Sequence, residues 1–388
     1  MDIGKELLSV LPADRIRTRY IDRVTFASDA GFYYLLPRAV VHPISEAEIV
    51  ALFTFSHRHH IPLVFRCGGT SLSGQSVTDG ILVDLSRHWS KVEPEAEGRE
   101  VRVGPGVTGA MVNARLKPFS RKIGPDPSSI SATMMGGILS NNSSGMCCGV
   151  ANNAYHTLKH IRFILPGGEI FDTADAKDHG RFLTECQALS GQLVSLRDEI
   201  LGNAELREKI RNKYRTKNTV GYSLNAFLDY EHPLDIFAHL LIGAEGTLAF
   251  ISSASLVTIP QLPCKSTGLL YFPDLHAACA AIPMLIACGA EAVELMDRAS
   301  LRAVETIAGM PSILKGLPPK AASLLVEFQG EDERQLEERL GQFLAGAPGL
   351  STLHPPEFTR IARRRNCYGR SAKVCSLLSE QFGKAALP

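Results

Sequence analysis

Apolar and polar positions along the chain alternate between a two-residue and a three-to-four-residue rhythm, and the switches mark its elements. AVVHP (39–43) reads as a short apolar strand stopped by Pro43. Ser45 followed three residues later by Glu48 forms a capping box ahead of IVALFTFSHRHH. The predicted helix ends in His57, Arg58, His59 and His60, cations suited to a helix C-terminus. Pro62 then opens the strand PLVFR before a glycine-rich turn, completing a strand–helix–strand unit. ILVDL (81–85) and the alternating REVRVG (99–104) continue the strand pattern. IRFILPGGEIFD (161–172) predicts a hairpin turning at Pro166-Gly167-Gly168, and residues 181–214 are helical and charged. Residues 237–260 read as a helix, a glycine turn and a strand closed by Pro260, while residues 4–30 read as a helical lead-in outside the core.

Beyond Pro263 the texture changes to a separate α+β unit. Strands STGLLYF, AVELMD and ASLLVEFQG alternate with helices, and EDERQLEERLGQFLAG supplies an amphipathic helix with Leu336, Leu340 and Phe343 on one face. No internal repeat is visible.

Composition narrows the picture. The 388 residues are 45% hydrophobic and 21% charged, with a formal net charge of +1. At roughly 150 residues per domain this predicts two or three domains with a sizeable core. The near-neutral balance removes the electrostatic footprint of a nucleic-acid binder. Without a run of about 18 apolar residues, no transmembrane segment is expected, and the first residues show no secretory signal. Nine cysteines are scattered with no C-x-x-C pair, which argues against a zinc ribbon or iron–sulfur site and for a reduced, cytoplasmic setting.

Four features bear on chemistry. Gly104, Gly106 and Gly109 spell G-x-G-x-x-G after a strand, with Asp126 twenty residues beyond Gly106. The preceding strand alternates charge and valine where a Rossmann first strand is buried on both faces, and Pro105 removes an amide where pyrophosphate donors are needed. A structural turn is the better reading. FRCGGTSLSGQ (65–75) lets the backbone approach a ligand closely and offers amides and hydroxyls to phosphate oxygens, without the Gly-Lys-Ser/Thr of a P-loop. Residues 122–153 are rich in Gly, Ser, Asn and Pro yet poor in charge, a composition fitting backbone laid against something large. His156 and His160 lie four residues apart but lack the glutamate of H-E-x-x-H, so no metal site is expected, and Lys217 and Tyr222 read as solvated loop residues.

Taken together, AVVHPISEAEIVALFTFSHRHHIPLVFRCGGTSLSGQ, VGPGVTGAMVNARL, GPDPSSISATMMGGILSNNSSG and KNTVGYSLNAFL through LLIGAEGTLAFI resemble the vanillyl-alcohol oxidase and p-cresol methylhydroxylase flavoproteins. More narrowly, they resemble the FAD-linked D-2-hydroxy-acid dehydrogenases acting on D-lactate, glycolate or D-2-hydroxyglutarate. The likeness covers about residues 37–260, and AVELMDRASL extends it. It implies an α+β fold, a two-lobed FAD-binding domain of the p-cresol methylhydroxylase type followed by an incomplete α+β cap. The expected boundaries are a lead-in at 1–36, the FAD domain at 37–263, a partial substrate or cap domain at 264–357 and an atypical basic tail at 358–388. By position, Arg66, Cys67, Gly68, Gly69, Thr70, Ser71, Leu72 and Ser73 would wrap the FAD pyrophosphate. Pro125, Asp126, Ser128, Thr133, Gly136 and Gly137 would line the isoalloxazine and ribityl side, with Asn142, Ser143 and Gly145 close by. Glu245, Gly246 and Leu248 would follow the adenine half. Relatives with covalent flavin often carry histidine in the pyrophosphate loop; Thr70 stands there instead, so FAD is expected to be non-covalent.

The resemblance also implies a reaction: a 2-hydroxy acid is oxidised to the 2-oxo acid, hydride passes to flavin N5, and electrons continue to a quinone or another carrier. A cytoplasmic or membrane-peripheral location follows. No catalytic residue is assigned by the match. The family's W-x-x-R segment, whose arginine holds the substrate carboxylate, and its G-H-x-G-D-G-N-x-H motif are absent from residues 1–388, where the sole tryptophan is Trp89 and no histidine follows His354. From Arg360 onward the composition turns basic, and an altered reading frame near 358 is the expectation, with a basic binding tail as the other reading. The alternative to a working dehydrogenase is a truncated FAD-binding module with little or no turnover.

Overall fold

The computed structural model describes residues 2–219, 221–307 and 310–361. It divides into two compact units, Met1–Pro260 and Gln261–Pro388.

The first unit has two lobes. In the smaller, strands β1 (Ile16–Arg17), β2 (Ala39–Val41), β3 (Leu63–Arg66) and β4 (Ile81–Asp84) lie in the order β1-β2-β4-β3, with β2, β4 and β3 parallel and β1 antiparallel to β2. Every residue of β2 and β4 is buried, as the apolar runs at 39–41 and 81–83 require, with Asp84 the one polar member. The helix Glu46–His59 crosses from β2 to β3. Its cap is the expected one with a variation: Ser45 accepts from the Glu48 amide, but the Glu48 carboxylate accepts from the Ile44 amide and pairs with Arg15 at 2.6 Å.

The expected helical lead-in is corrected here. It folds into the short helices Ile3–Leu7 and Tyr20–Val24 with β1 between them, and Leu7 and Leu11 are buried against Ile49 and Leu52. Two leucines four apart make an apolar face too short to stand out in a polar segment, yet wide enough to seal one end of the sheet.

The larger lobe is an antiparallel sheet of β5 (Val92–Glu95), β6 (Glu100–Val103), β7 (Arg121–Ile123), β8 (Leu158–Ile164), β9 (Ile170–Asp172) and β10 (Phe250–Pro260). The order is β5-β6-β10-β8-β9, and β7 pairs with the far end of β10. β8 and β9 form the hairpin whose turn holds Gly168 at φ +103°. Helices Ala176–Glu185, Gln187–Gly202, Ala204–Tyr214 and Pro233–Leu240 complete the lobe. Phe163, Phe171, Phe182 and Phe237 interlock there at centroid distances between 5.2 and 6.0 Å.

The second unit is an antiparallel sheet of β11 (Cys264–Phe272), β12 (Ala292–Met296), β13 (Ala322–Gly330) and β14 (Phe358–Thr359), ordered β12-β13-β11-β14. Helices Leu275–Ala287 and Glu333–Gly346 supply Leu285, Leu336 and Phe343 to its core. The tail expected from 358 therefore begins inside this unit: Phe358 packs on Phe328 and Phe343, and Arg360 pairs with Glu333 and Glu337. Arg363, Arg364, Arg365, Arg370, Lys373 and Lys384 lie outside the described residues.

One buried polar pair ties β2 to β4. His42 Nδ1 lies 3.1 Å from Asp84 Oδ2, off the line of a well-aligned hydrogen bond, and both side chains are almost fully enclosed. Burial alone would raise the Asp84 pKa; His42 and the Ser86 amide and hydroxyl outweigh it and hold the carboxyl below its usual value. A carboxylate depressed in the fold stabilises above its unfolded pKa of about 4 and loses that contribution as pH falls through the folded value. Asp84→Ala is expected to lower stability at pH 7 by about 3 kcal/mol, since it strands His42, and to flatten the loss between about pH 5 and pH 3. Urea unfolding across that range checks this; an unchanged acid slope in the variant would refute the assignment.

Candidate functional site

Strand β3 delivers Arg66 to the head of the glycine loop, and the helix Met135–Asn141 starts beside it. Gly69 sits at φ +62°, a conformation that turns the loop back on itself at no steric cost only without a side chain. Among the described residues no acceptor is found for the amide N–H groups of Gly68, Gly69, Thr70, Ser71 and Leu72. A row of unpaired amides on a glycine turn is a site for an oxygen-rich anion. Arg66 Nη1 donates to the carbonyls of Phe26 (3.2 Å) and Ser28 (2.8 Å), and its guanidinium lies 5.5 Å from the Phe26 ring centroid. The same guanidinium stands against Gly69.

The second low-charge stretch is fastened to the first. Thr70 Oγ1 lies 3.1 Å from Thr133 Oγ1, which also bonds Ser129 Oγ at 2.6 Å. Ser129 makes this contact while Ser128 is exposed. Gly136 packs so closely on Cys67 that a Cβ would lie 2.7 Å from its Sγ, and the Gly137 amide donates to the same sulfur. Burial pushes the Cys67 thiol up to about 12, so it stays protonated at neutral pH.

Asp126 organises the third piece. Its carboxylate accepts from the amides of Gly145 (3.0 Å), Cys147 (2.9 Å) and Cys148 (3.2 Å), gathering residues 143–148 against Pro125 and Asp126. Gly145 is required at that crossing, because a Cβ there would collide with the Asp126 carbonyl. Burial, reinforced by the Asp126 charge, raises the Cys148 pKa. Asn142, left-handed at φ +49°, ends the Met135–Asn141 helix and accepts from the Tyr155 amide at 3.3 Å. Ser143 Oγ donates to Asn141 Oδ1 at 2.9 Å.

The fourth piece docks on the same helix. The Glu245 amide donates to the Ser140 carbonyl at 2.7 Å, and Asn141 Nδ2 donates to the Glu245 carboxylate. Burial raises the Glu245 pKa against the opposing Asn141 bond. Glu245 and Gly246 both have positive φ, and Leu248 packs on the apolar core. Asn141, missed from the sequence, is thus the hinge between helix and Glu245; its place in SNNSSG was the available signal. Lys217 Nζ reaches the Ser144 carbonyl at 3.3 Å and Tyr222 Oη lies 3.0 Å from Thr247 Oγ1, so both border the cluster rather than standing free in solvent. Beside Asn142 a polar cavity is lined by Asn153, Tyr155, His156, Ser223 and Asn225. Asn225 is 7% exposed and its Oδ1 has no partner.

The two decoys resolve differently. The Gly104 and Gly106 amides donate to the carbonyls of Lys91 and Trp89, both at 2.9 Å, in an antiparallel sheet, so the G-x-G-x-x-G segment is a turn with its donors spent. His156 Nδ1 bonds Asn153 Oδ1 at 2.9 Å, so this ring nitrogen is engaged by a side-chain amide.

The geometry is a weakly charged bed of backbone with a row of unpaired amides at one end. Comparison with known proteins identifies the domains of the chain. The FAD binding domain family matches residues 37–174, and the C-terminal domain of FAD linked oxidases matches residues 263–363. D-2-hydroxyglutarate dehydrogenase of Pantoea ananatis (strain AJ13355) is 32% identical over 349 residues, which cover 86% of this chain and 34% of that protein. Glycolate oxidase subunit GlcD of Escherichia coli (strain K12) is 26% identical over 371 residues, covering 92% of this chain and 63% of that one. The chain thus spans about a third of the dehydrogenase it matches. A solved structure of alkyldihydroxyacetonephosphate synthase superposes with a TM-score of 0.63 at 13% identity, over 97% of this chain and 64% of the other, and shares the fold. The chain thus carries an FAD binding domain followed by the C-terminal domain of FAD linked oxidases, and its cofactor is FAD.

Proposed function

We propose that the chain oxidises a D-2-hydroxy acid to the corresponding 2-oxo acid and passes the electrons to a quinone or another carrier. FAD, when bound, supplies the hydride acceptor. The observation that carries this reading is the relatedness to D-2-hydroxyglutarate dehydrogenase and the glycolate oxidase subunit, together with the four loops fastened to one another within the first unit. In this reading the amides of Gly68 to Leu72 hold the pyrophosphate, residues 125–137 and 142–145 hold the isoalloxazine and ribityl part, and Glu245 to Leu248 border the adenine half. The hydroxyl proton needs an acceptor, and we assign it to His156. Its Nδ1 is engaged by Asn153 Oδ1, which leaves Nε2 to take a proton, and it lines the polar cavity next to Asn142. Tyr155 is unsuited, because burial and its bond to Asp229 raise its pKa far above the phenol range.

The second reading is an FAD-binding module with little or no turnover. Anaerobic mixing with D-2-hydroxyglutarate, D-lactate and glycolate separates the two. The dehydrogenase reading expects bleaching of the flavin band by at least one of them, no bleaching by L-lactate, and slower bleaching in His156→Gln with FAD content unchanged. No bleaching by any acid leaves the binding-module reading standing. Acid precipitation is expected to leave FAD in the supernatant, as non-covalent attachment requires; a yellow pellet would refute it.

A further inference from the structure

Away from the flavin loops, three side chains from two helices point at one spot. His179 comes from the helix Ala176–Glu185; His232 caps, and Asp235 belongs to, the helix Pro233–Leu240. Packing of Phe182 on Phe237, with centroids 6.0 Å apart, sets the two helices side by side. His179 Nε2 lies 3.3 Å from Asp235 Oδ1, and the rings of His179 and His232 meet edge to face at 4.7 Å. One ligand atom from each residue lies within 4.8 Å of the others, and this is the single such group of His, Cys, Asp and Glu among the described residues.

A histidine–aspartate hydrogen bond would explain two members of the group. It does not explain His232, whose ring stands against His179 and whose Nδ1 does no more than accept the Leu234 amide at 3.1 Å. Around a zinc ion with bonds of about 2.1 Å, tetrahedral ligands stand about 3.4 Å apart. The His179–Asp235 edge already has that length, and side-chain rotation of His232 closes the others. All three residues are half-buried, held by their helices yet open on one side to water.

We propose that His179, His232 and Asp235 bind one divalent transition-metal ion, zinc being the best match, with water in the fourth position. Two imidazoles and one carboxylate are a borderline donor set; calcium and magnesium want more oxygens than the group provides. Coordination at either nitrogen of His232 frees the Leu234 amide, since metal at Nε2 places the ring proton on Nδ1. The site is independent of the flavin chemistry, so its failure and that of the dehydrogenase reading are separate results.

Zinc titration calorimetry on the chelator-treated, FAD-loaded full chain tests it. One ion per chain is expected, with micromolar or tighter affinity. His179→Gln and His232→Asn should each weaken binding about tenfold or more. Asparagine preserves the helix cap, and an unchanged flavin spectrum certifies the fold. The Leu234 peptide should exchange hydrogen faster with zinc than without. His57, His59 and His60 are a second imidazole-rich stretch, and replacing all three by alanine should leave the affinity intact. Binding that follows the His57–His60 stretch, that survives His179→Gln and His232→Asn, or that needs millimolar zinc overturns the proposal.

Discussion

Gly69→Val should give a colourless protein. The residue sits at φ +62°, where a β-branched side chain is strained by roughly 1–3 kcal/mol, and its Cβ would crowd Arg66, lying 2.7 Å from Cζ. Arg66 cannot step aside without giving up the Phe26 and Ser28 carbonyls. The loop must therefore reopen, which withdraws several amides from the phosphate oxygens at once. Charge-assisted hydrogen bonds are each worth about 1.5–3 kcal/mol, so loss of two lowers FAD affinity on the order of a hundredfold or more. Gly180→Ala, on a helix with nothing within 4 Å of the added carbon, is the control and should retain full colour. A Gly69→Val protein that elutes with one FAD per chain would remove the loop from the site.

Asp126→Ala is expected to be the most damaging single change among the loops to stability as well as flavin content. Three backbone amides lose one anionic acceptor, at a cost of about 3 kcal/mol, and residues 143–148 come away from the bed. Asp126→Asn should fall between. Its one carbonyl oxygen can keep Gly145 and Cys148, which share Oδ1, while its NH₂ would face the Cys147 amide donor to donor. Thermal unfolding and limited proteolysis between 143 and 150 rank the three proteins. Equal melting temperatures for wild type and Asp126→Ala would show that the carboxylate is not what gathers the loop.

Local chemistry was legible where it was carried by residues near one another in sequence. Ser45 with Glu48, Gly168 in the hairpin and the glycines of 65–75 each declare a geometry through backbone or cap demands that few residues meet. The charge-poor stretch at 122–153 reads as backbone laid against something large, and most of its residues are buried or half-buried. What stayed hidden depended on distant partners. Burial of Leu7 and Leu11 is decided by a sheet that begins with residues 16–17 and 39–41, and the inclusion of Phe358 by aromatic rings at 328 and 343. The His179, His232 and Asp235 group belongs to the same class, since no spacing rule joins residues on separate helices. Gly104 and Gly106 show the converse: a motif read at face value would have misled, and only the Lys91 and Trp89 carbonyls reveal that its donors are spent.

Strand β10 has a consequence for the order of assembly. It lies between β6 and β8 and also takes β7, so residues 250–260 close pairings with strands begun at residues 100, 121 and 158. A nascent chain that has emerged only as far as residue 174, where the first family match ends, holds the β5–β6 and β8–β9 hairpins with nothing between them. Two-stranded hairpins are marginal alone, and their inward edges are open to other chains. The flavin bed waits as well, because Glu245 precedes β10 by five residues and docks on Ser140 from the same late segment. On the proposed assignment of the FAD site, cofactor capture follows this closure, and a ribosome stalled before residue 260 displays an aggregation-prone intermediate.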